Sequence, residues 1–284
     1  MHNPVDLSRS AGISSRALAA LLALATALVA AFVVAPRYLA AIGSGGGFAD
    51  QRHFVEALSK AFVEHWRSGG RDLSPDLARV VDYWIRYHLA KAVIAALLLS
   101  VLVTLGVHLW KEFLRAHGLG AGKRVALAST GVLVTMLALV SLATVMANVQ
   151  GVVAPYSSLF PMLTGGAPDH ELADTLEQVR RRLADSRDQT QPALDVMISD
   201  FARYHVAMAV IAAIVVIVLI GMTAVSWKRF SRTNSSDRRT RRVWRSFGVL
   251  SAMLSLAVIV VVAANATTAA DPEPALLAAF EGGW

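Results

Sequence analysis

A chain of 284 residues that is 55% hydrophobic and 17% charged has too little polar sequence to clothe a water-soluble globule of that size. It holds no cysteine, which excludes disulfides, thiolate metal sites and thiol redox chemistry. Its net charge of +7 gathers in short stretches beside apolar runs, so membrane topology accounts for it and nucleic acid is not needed as a partner.

The first apolar run, residues 17–35, lies between Arg16 and Pro36. Arg9 and Arg16 ahead of it resemble the start of a signal peptide, but Leu24-Ala25-Thr26 recurs as Leu142-Ala143-Thr144 in a later span. The expectation is a retained span. Residues 37–88 then form a polar segment, broken at Gly43, Gly45, Gly46 and Gly47. Phe54, Leu58, Phe62 and Trp66 fall on every fourth position and predict an amphipathic helix over 49–67, stopped by Gly69-Gly70. Ser74-Pro75 starts another helix, which can run through Asp82 and His88 straight into span two, residues 89–110.

A basic loop with Lys111, Arg115, Lys123 and Arg124 leads to span three, residues 125–147, ending at Asn148. The second polar segment, 149–205, has a Gly165-Gly166 break, a helix over 169–185 and a restart at Pro192. Span four covers 206–227, a strongly basic loop covers 228–245, and span five covers 247–264, ending at Asn265. A tail with Asp271, Glu273 and Glu281 finishes at Trp284.

These elements recur. Arg86-Tyr87-His88 opens span two and Trp110-Lys111-Glu112-Phe113 closes it; 117 residues later, Arg203-Tyr204-His205 opens span four and Trp227-Lys228-Arg229-Phe230 closes it. Asn148 matches Asn265, Pro155 matches Pro272, and Gly131-Val132-Leu133 matches Gly248-Val249-Leu250. The predicted fold is all-α: a five-span helical membrane bundle with two extracytoplasmic helical segments, built from a tandem parallel repeat of about 117 residues. Its parts are an N-terminus at 1–16, a first repeat at 17–123, a second at 124–240 and a truncated third at 241–284.

Charge sets the expected orientation. The N-terminus and the two basic loops hold 14 of the 27 Lys and Arg in under fifty residues, with 3 of the 20 acidic residues. Dense basic residues beside span ends mark the cytoplasmic side. The chain is thus expected in the cell membrane with its N-terminus inside and its polar segments and C-terminus outside.

His88 and His205, at the outer ends of spans two and four, are the residues with most chemistry to offer. Ala92 and Ala96 lie below His88, and Ala209 and Ala213 below His205, so close helix approach is expected on those faces. Two helices related by a pseudo-twofold axis can present both imidazoles to one site for haem, metal or a proton. The plainer reading makes Arg-Tyr-His an interfacial anchor. Tyr87, Tyr204, Asn148 and Asn265 would line the same outer ring. The polar stripes Thr130, Ser141, Thr144 and Asn148, and Ser251, Ser255 and Asn265, either line a pocket or bond neighbouring helices. Lys91 sits one turn inside a span and is expected to reach back to the interface. The pairs Asp76 and Asp82, and Asp195 and Asp200, read as solvated helix faces, and Arg180-Arg181-Arg182 as part of an ion-paired helix. The run from Arg238 to Arg242 suits anionic lipid.

The stretches Pro36-Arg37-Tyr38-Leu39, Asp82-Tyr83-Trp84-Ile85-Arg86-Tyr87-His88, Val145-Met146-Ala147-Asn148-Val149-Gln150 and Gly282-Gly283-Trp284 resemble those of actinobacterial multi-pass integral membrane proteins with no established activity. That resemblance implies localisation only. Asn148 and Phe201-Ala202-Arg203-Tyr204-His205 are also similar in style to anthrone-oxygenase-like four-span proteins, from which the fifth span departs. The first functional expectation is a non-enzymatic binding module with no cofactor. Its partners would be the bilayer, an extracytoplasmic protein and, through the truncated third copy, further copies of itself. The alternatives are a membrane oxidoreductase or haem carrier using His88 and His205, and a small-molecule carrier with parallel repeats.

Overall fold

A computed structural model describes residues 15–42, 47–115, 120–165, 169–185 and 191–283; the expectations for Arg9, Gly43, Gly45, Gly46, Gly166 and Trp284 lie outside the described residues. The elements in order are α1 (Ser15–Ala41), α2 (Gln51–Ser68), α3 (Pro75–Arg115), α4 (Ala121–Val153), a 3-10 turn (Ser157–Leu159), α5 (Phe160–Thr164), α6 (His170–Ala184), α7 (Pro192–Arg232), α8 (Arg238–Ala270) and α9 (Pro272–Phe280). No strand occurs among the described residues. Helices α1, α3, α4, α7 and α8 are long and apolar enough to cross a membrane.

Local chemistry sets the ends of these helices. The Asp50 carboxylate accepts from the Arg52 and His53 amides at 2.9 and 3.1 Å and starts α2. Gly69, at φ +65°, ends α2 in the left-handed conformation that a side chain resists. Asp169 caps α6 through the Leu172 amide at 2.8 Å. Asp237 caps α8 through the Thr240 amide at 3.0 Å. The arginine run from 238 to 242, expected within a loop, is therefore the first turn of a helix. The Asp237 carboxylate offsets the poor match of basic residues to a helix N-terminus, and the guanidinium stems lie on apolar rings. Arg241 sits 4.4 Å from the Phe230 ring centre and Arg239 5.6 Å from that of Phe113.

Helix α1 also outruns its expected end, continuing through Pro36. Proline removes one backbone bond but does not end a helix whose sides are packed. Here Pro36 is buried, Ala40 is fully enclosed, and Arg86 Nη1 donates to the Ile42 carbonyl at 2.6 Å, satisfying the end of α1.

The helices α3 and α7 have 41 residues each, and α4 and α8 have 33 each; α7 begins and ends 117 residues after α3, as α8 does after α4. At about 1.5 Å per residue, 41 residues span roughly 60 Å, twice the hydrocarbon core. The N-terminal portions of α3 and α7 are therefore surplus to a crossing. There α2, α5, α6, α9 and the 3-10 turn pack around α3 and α7 to form a cap. One apolar cluster fills it, with Phe54, Leu58, Phe62, Trp66, Leu77, Trp84, Tyr156, Phe160, Leu176, Met197, Phe201 and Phe280 among its members. Segments from both halves of the chain and the C-terminal α9 thus share a single core.

The crossing parts pack more sparsely. Helix α1 leans on α3, α3 pairs with α4, α4 touches α7, and α7 pairs with α8. Trp110 meets the Phe247 ring at 5.2 Å and so links α3 to α8 at the basic ends. The buried small residues differ from expectation. Ala95, not Ala96, lies against α4, and its carbonyl takes the Ser141 hydroxyl at 2.9 Å. In the second hairpin Ala207 and Ala212 are buried, while Ala209 and Ala213 are partly exposed. Ala92 is buried as expected, so the α3 contact runs through Ala92 and Ala95, three apart, where Ser141 reaches a main-chain carbonyl.

Replacing Phe62 with alanine should remove about 3–5 kcal/mol of stability, whereas Ile217→Ala, on an outward span face with 70% exposure, should change it by less than about 1 kcal/mol. Denaturation of both variants in the same nanodisc checks the contrast.

Candidate functional site

Helix α3 carries Trp84, Tyr87 and His88 at i, i+3 and i+4, so the three rings share one face. Trp84 meets the His88 ring edge-on at 4.7 Å, and Tyr87 does so at 5.7 Å. On α7, Phe201 and Tyr204 repeat the arrangement around His205 at 4.6 and 5.6 Å. Each imidazole then finds an asparagine on the following span: His88 Nδ1 lies 3.0 Å from Asn148 Oδ1, and His205 Nδ1 lies 2.9 Å from Asn265 Oδ1.

The asparagines also set the tautomer. Asn148 Nδ2 donates to the Thr144 carbonyl at 2.7 Å, and Asn265 Nδ2 donates to the Val261 carbonyl at 2.9 Å. With the amide nitrogen turned back on its own helix, only Oδ1 faces the ring. An oxygen can only accept, so Nδ1 of each histidine carries the proton and donates, and in the neutral ring Nε2 holds the lone pair. In His88 that Nε2 is buried without a hydrogen-bond partner among the described residues.

The two pairs are separate. Helix α4 touches both α3 and α7 within one turn. Asn148 holds His88, a Cβ on Gly151 would fall 2.8–2.9 Å from three His88 ring atoms, and Gln150 Nε2 donates to the Tyr204 carbonyl at 3.0 Å. Each imidazole is clamped by an asparagine of its own, His88 between α3 and α4 and His205 between α7 and α8. The two clamps are not equivalent, since the position matching Gly151 is Thr268. Tyr87 and Tyr204 part likewise. Tyr87 stacks on Trp84 at 5.0 Å and receives the Lys91 ammonium at 3.3 Å, while Tyr204 is tied through its carbonyl.

The polar stripes serve packing. Ser141 bonds α4 to α3, and Thr223 donates to Ser251 at 2.9 Å, bonding α7 to α8. Thr144 and Ser255 turn back on their own helices. Among the described residues no three His, Cys, Asp or Glu side chains gather as a metal-ligand set.

A second polar group lies in the cap. His65 is 1% exposed and neither ring nitrogen has a partner among the described residues. The Tyr156 ring stands edge-on to it at 6.2 Å, and the Tyr156 hydroxyl is also buried and unpartnered. Asp200, expected on a solvated face, is 7% exposed and accepts from the Ser157 amide at 2.9 Å. It is drawn inward because the turn after α4 brings an amide that no helix bond satisfies. Burial holds the His65 pKa below its ordinary value and raises that of Tyr156, the latter further under the Asp200 charge. The signal for His65 was present in the sequence, as it lies three and seven residues after Phe62 and Leu58 on the apolar face of α2.

No protein-family model matches the chain, and no curated protein or solved structure matches it.

Two outcomes follow from this geometry. Gly151→Ala should cost about 1–3 kcal/mol by overpacking against His88, and Asn148→Ala about 1–3 kcal/mol by stranding the buried Nδ1 donor. Asn265→Ala should cost less, because Asn265 is less buried than Asn148. Thermal unfolding of the three variants tests the order. His65 gives a pH dependence. Its folded pKa lies below 6.5, so as pH falls through about 6.5 the unfolded chain takes up a proton before the folded one, and stability declines. A His65→Phe variant should show a flatter loss between about pH 7 and pH 5.

Proposed function

We propose that the protein is a membrane-anchored binding module whose cap is the working part. The observation that carries this is the placement of the core. The aromatic and aliphatic packing concentrates in the cap, where α2, α6, α9 and the ends of α3 and α7 are locked together, while the spans expose broad apolar faces suited to lipid. Three cavities of about 410, 400 and 230 Å³ line the cap. A chain that builds a rigid platform on sparsely packed spans commits its specificity to that platform.

Within this reading, the 117-residue offset reflects a duplicated hairpin, with both copies pointing the same way. The matched lengths of α3 with α7 and α4 with α8, and the matched His–Asn clamps, support it. The basic ends lie in the cytoplasm and the cap outside the cell membrane. The absence of cysteine makes the topology directly testable. In intact cells, Lys60→Cys in the cap should react with a membrane-impermeant maleimide, and Arg242→Cys should not until the membrane is opened. For the binding role, a photocrosslinking residue at position 60 should give a discrete protein adduct that the same residue at position 260, on a span face, does not give. Equal labelling at both positions would remove the reading.

A second reading rests on one atom, the buried lone pair of His88 Nε2. Gly151 packs against the Cγ, Nδ1 and Cδ2 side of that ring, so Nε2 is the ring atom open to a haem or metal ion. Purified protein would then show a Soret band or stoichiometric metal that His88→Ala abolishes and His205→Ala, whose ring has its own asparagine, leaves in place.

A further inference from the structure

Between α2 and α6, beside the start of α7, lies a cleft of about 400 Å³ lined by Trp66, Arg67, Gln178, Arg181, Arg182 and Gln191. That volume lies within the range of small-molecule sites. Its walls are tied to one another. Trp66 Nε1 donates to Gln178 Oε1 at 3.1 Å, and Gln191 Nε2 donates to the Trp66 carbonyl at 3.2 Å. The left-handed turn at Gly69 keeps the chain clear of Gln191, whose amide stands 3.1 Å from where a Cβ would be. The Trp66 bond uses the oxygen of Gln178 and leaves its amide nitrogen as a donor.

The charges around this cleft do not balance. Arg67 meets Glu171 at 3.5 Å, and Arg180 and Arg181 share Glu177, each at 3.0 Å. Arg182 makes no ion pair among the described residues. Of the three guanidiniums that line the cleft, Arg67 and Arg181 each meet a carboxylate, and Arg182 adds a positive charge with none opposite it. The 410 Å³ cavity on the other side of α2 differs, because Lys60 pairs there with Glu56 and Arg79 with Asp76. Guanidinium forks and amide N–H groups are donors without acceptors, and in this number they match the oxygens of carboxylate or phosphate groups.

We propose that this cleft binds a small multivalent anion, a compound carrying two or more carboxylate or phosphate groups. The proposal rests on the cap being the binding part of the protein and names the class of its ligand. Arg67, Arg181 and Arg182 supply charge, and Gln178 and Gln191 fix the orientation of the bound oxygens.

The test uses the full chain in zwitterionic nanodiscs at fixed ionic strength, titrated calorimetrically with citrate and with pyrophosphate. Saturable one-site binding of either probe is expected, and which one binds assigns carboxylate or phosphate. Arg182→Gln should weaken it about tenfold, the loss of one charge-assisted bond, and so should Arg67→Gln. Lys60→Gln, in the charge-balanced cavity, should leave it unchanged. Both arginines are exposed, and unaltered unfolding midpoints would show that the variants fold. Absence of saturable binding with both probes overturns the proposal, as does an equal loss in Lys60→Gln. Those results leave the crosslinking test at position 60 unaffected, so failure of the cleft and failure of the binding-module reading are told apart.

Discussion

A helix needs only about 20 residues to satisfy its backbone across a bilayer core, and α3 and α7 have 41. Each is one uninterrupted hydrogen-bonded rod, apolar and sparsely packed toward its C-terminal end and packed in the cap core toward its N-terminal end. Cap and membrane region are therefore mechanically one body along two lines, with no linker to absorb a rotation. Everything placed near the join inherits that rigidity. Trp84 shows how: it stacks on Phe54 of α2 at 5.3 Å, bonds the Ser158 hydroxyl at 2.7 Å and touches His88, so one side chain on one helix connects the cap core, the turn after α4 and the histidine clamp.

Much of this architecture was legible in the sequence, and the reasons are physical. Long apolar runs have few alternatives to crossing a membrane, and Phe54, Leu58, Phe62 and Trp66 all entered the core that their spacing implied. The continuity of α3 from Pro75 through His88 followed from the lack of any breaker. Tertiary satisfaction of helix ends was not legible. The passage of α1 through Pro36 depends on Arg86 from another helix, and the helical arginine run depends on Asp237 and on rings it lies against. The short helices α5 and α9 have no periodic signal of their own, since they form by covering the cap core with Phe160, Leu276 and Phe280.

At the site, the residue types were legible and their pairing was not. His88, His205, Asn148 and Asn265 stood out because each has a counterpart at the same offset. Nothing in one dimension says which neighbour a polar side chain will bond, and here each histidine bonds the asparagine of the span that follows it. Equivalent positions have also diverged in chemistry while keeping their geometry. Gly106 approaches Val134 where α3 crosses α4; at the matching crossing Thr223 donates to Ser251. One crossing is closed by dispersion and the other by a hydrogen bond, which is worth only a modest amount in lipid.

Among the crossing helices α1 rests chiefly on α3, and its most apolar stretch has no buried residues. A helix that is greasy on every side is satisfied by lipid alone and needs no protein neighbour to be stable in a bilayer. Its tie to the rest of the protein includes the Arg86 guanidinium, which donates to the Ile42 carbonyl. The first crossing is in this sense a lodger, and the main contacts among the other four do not run through it.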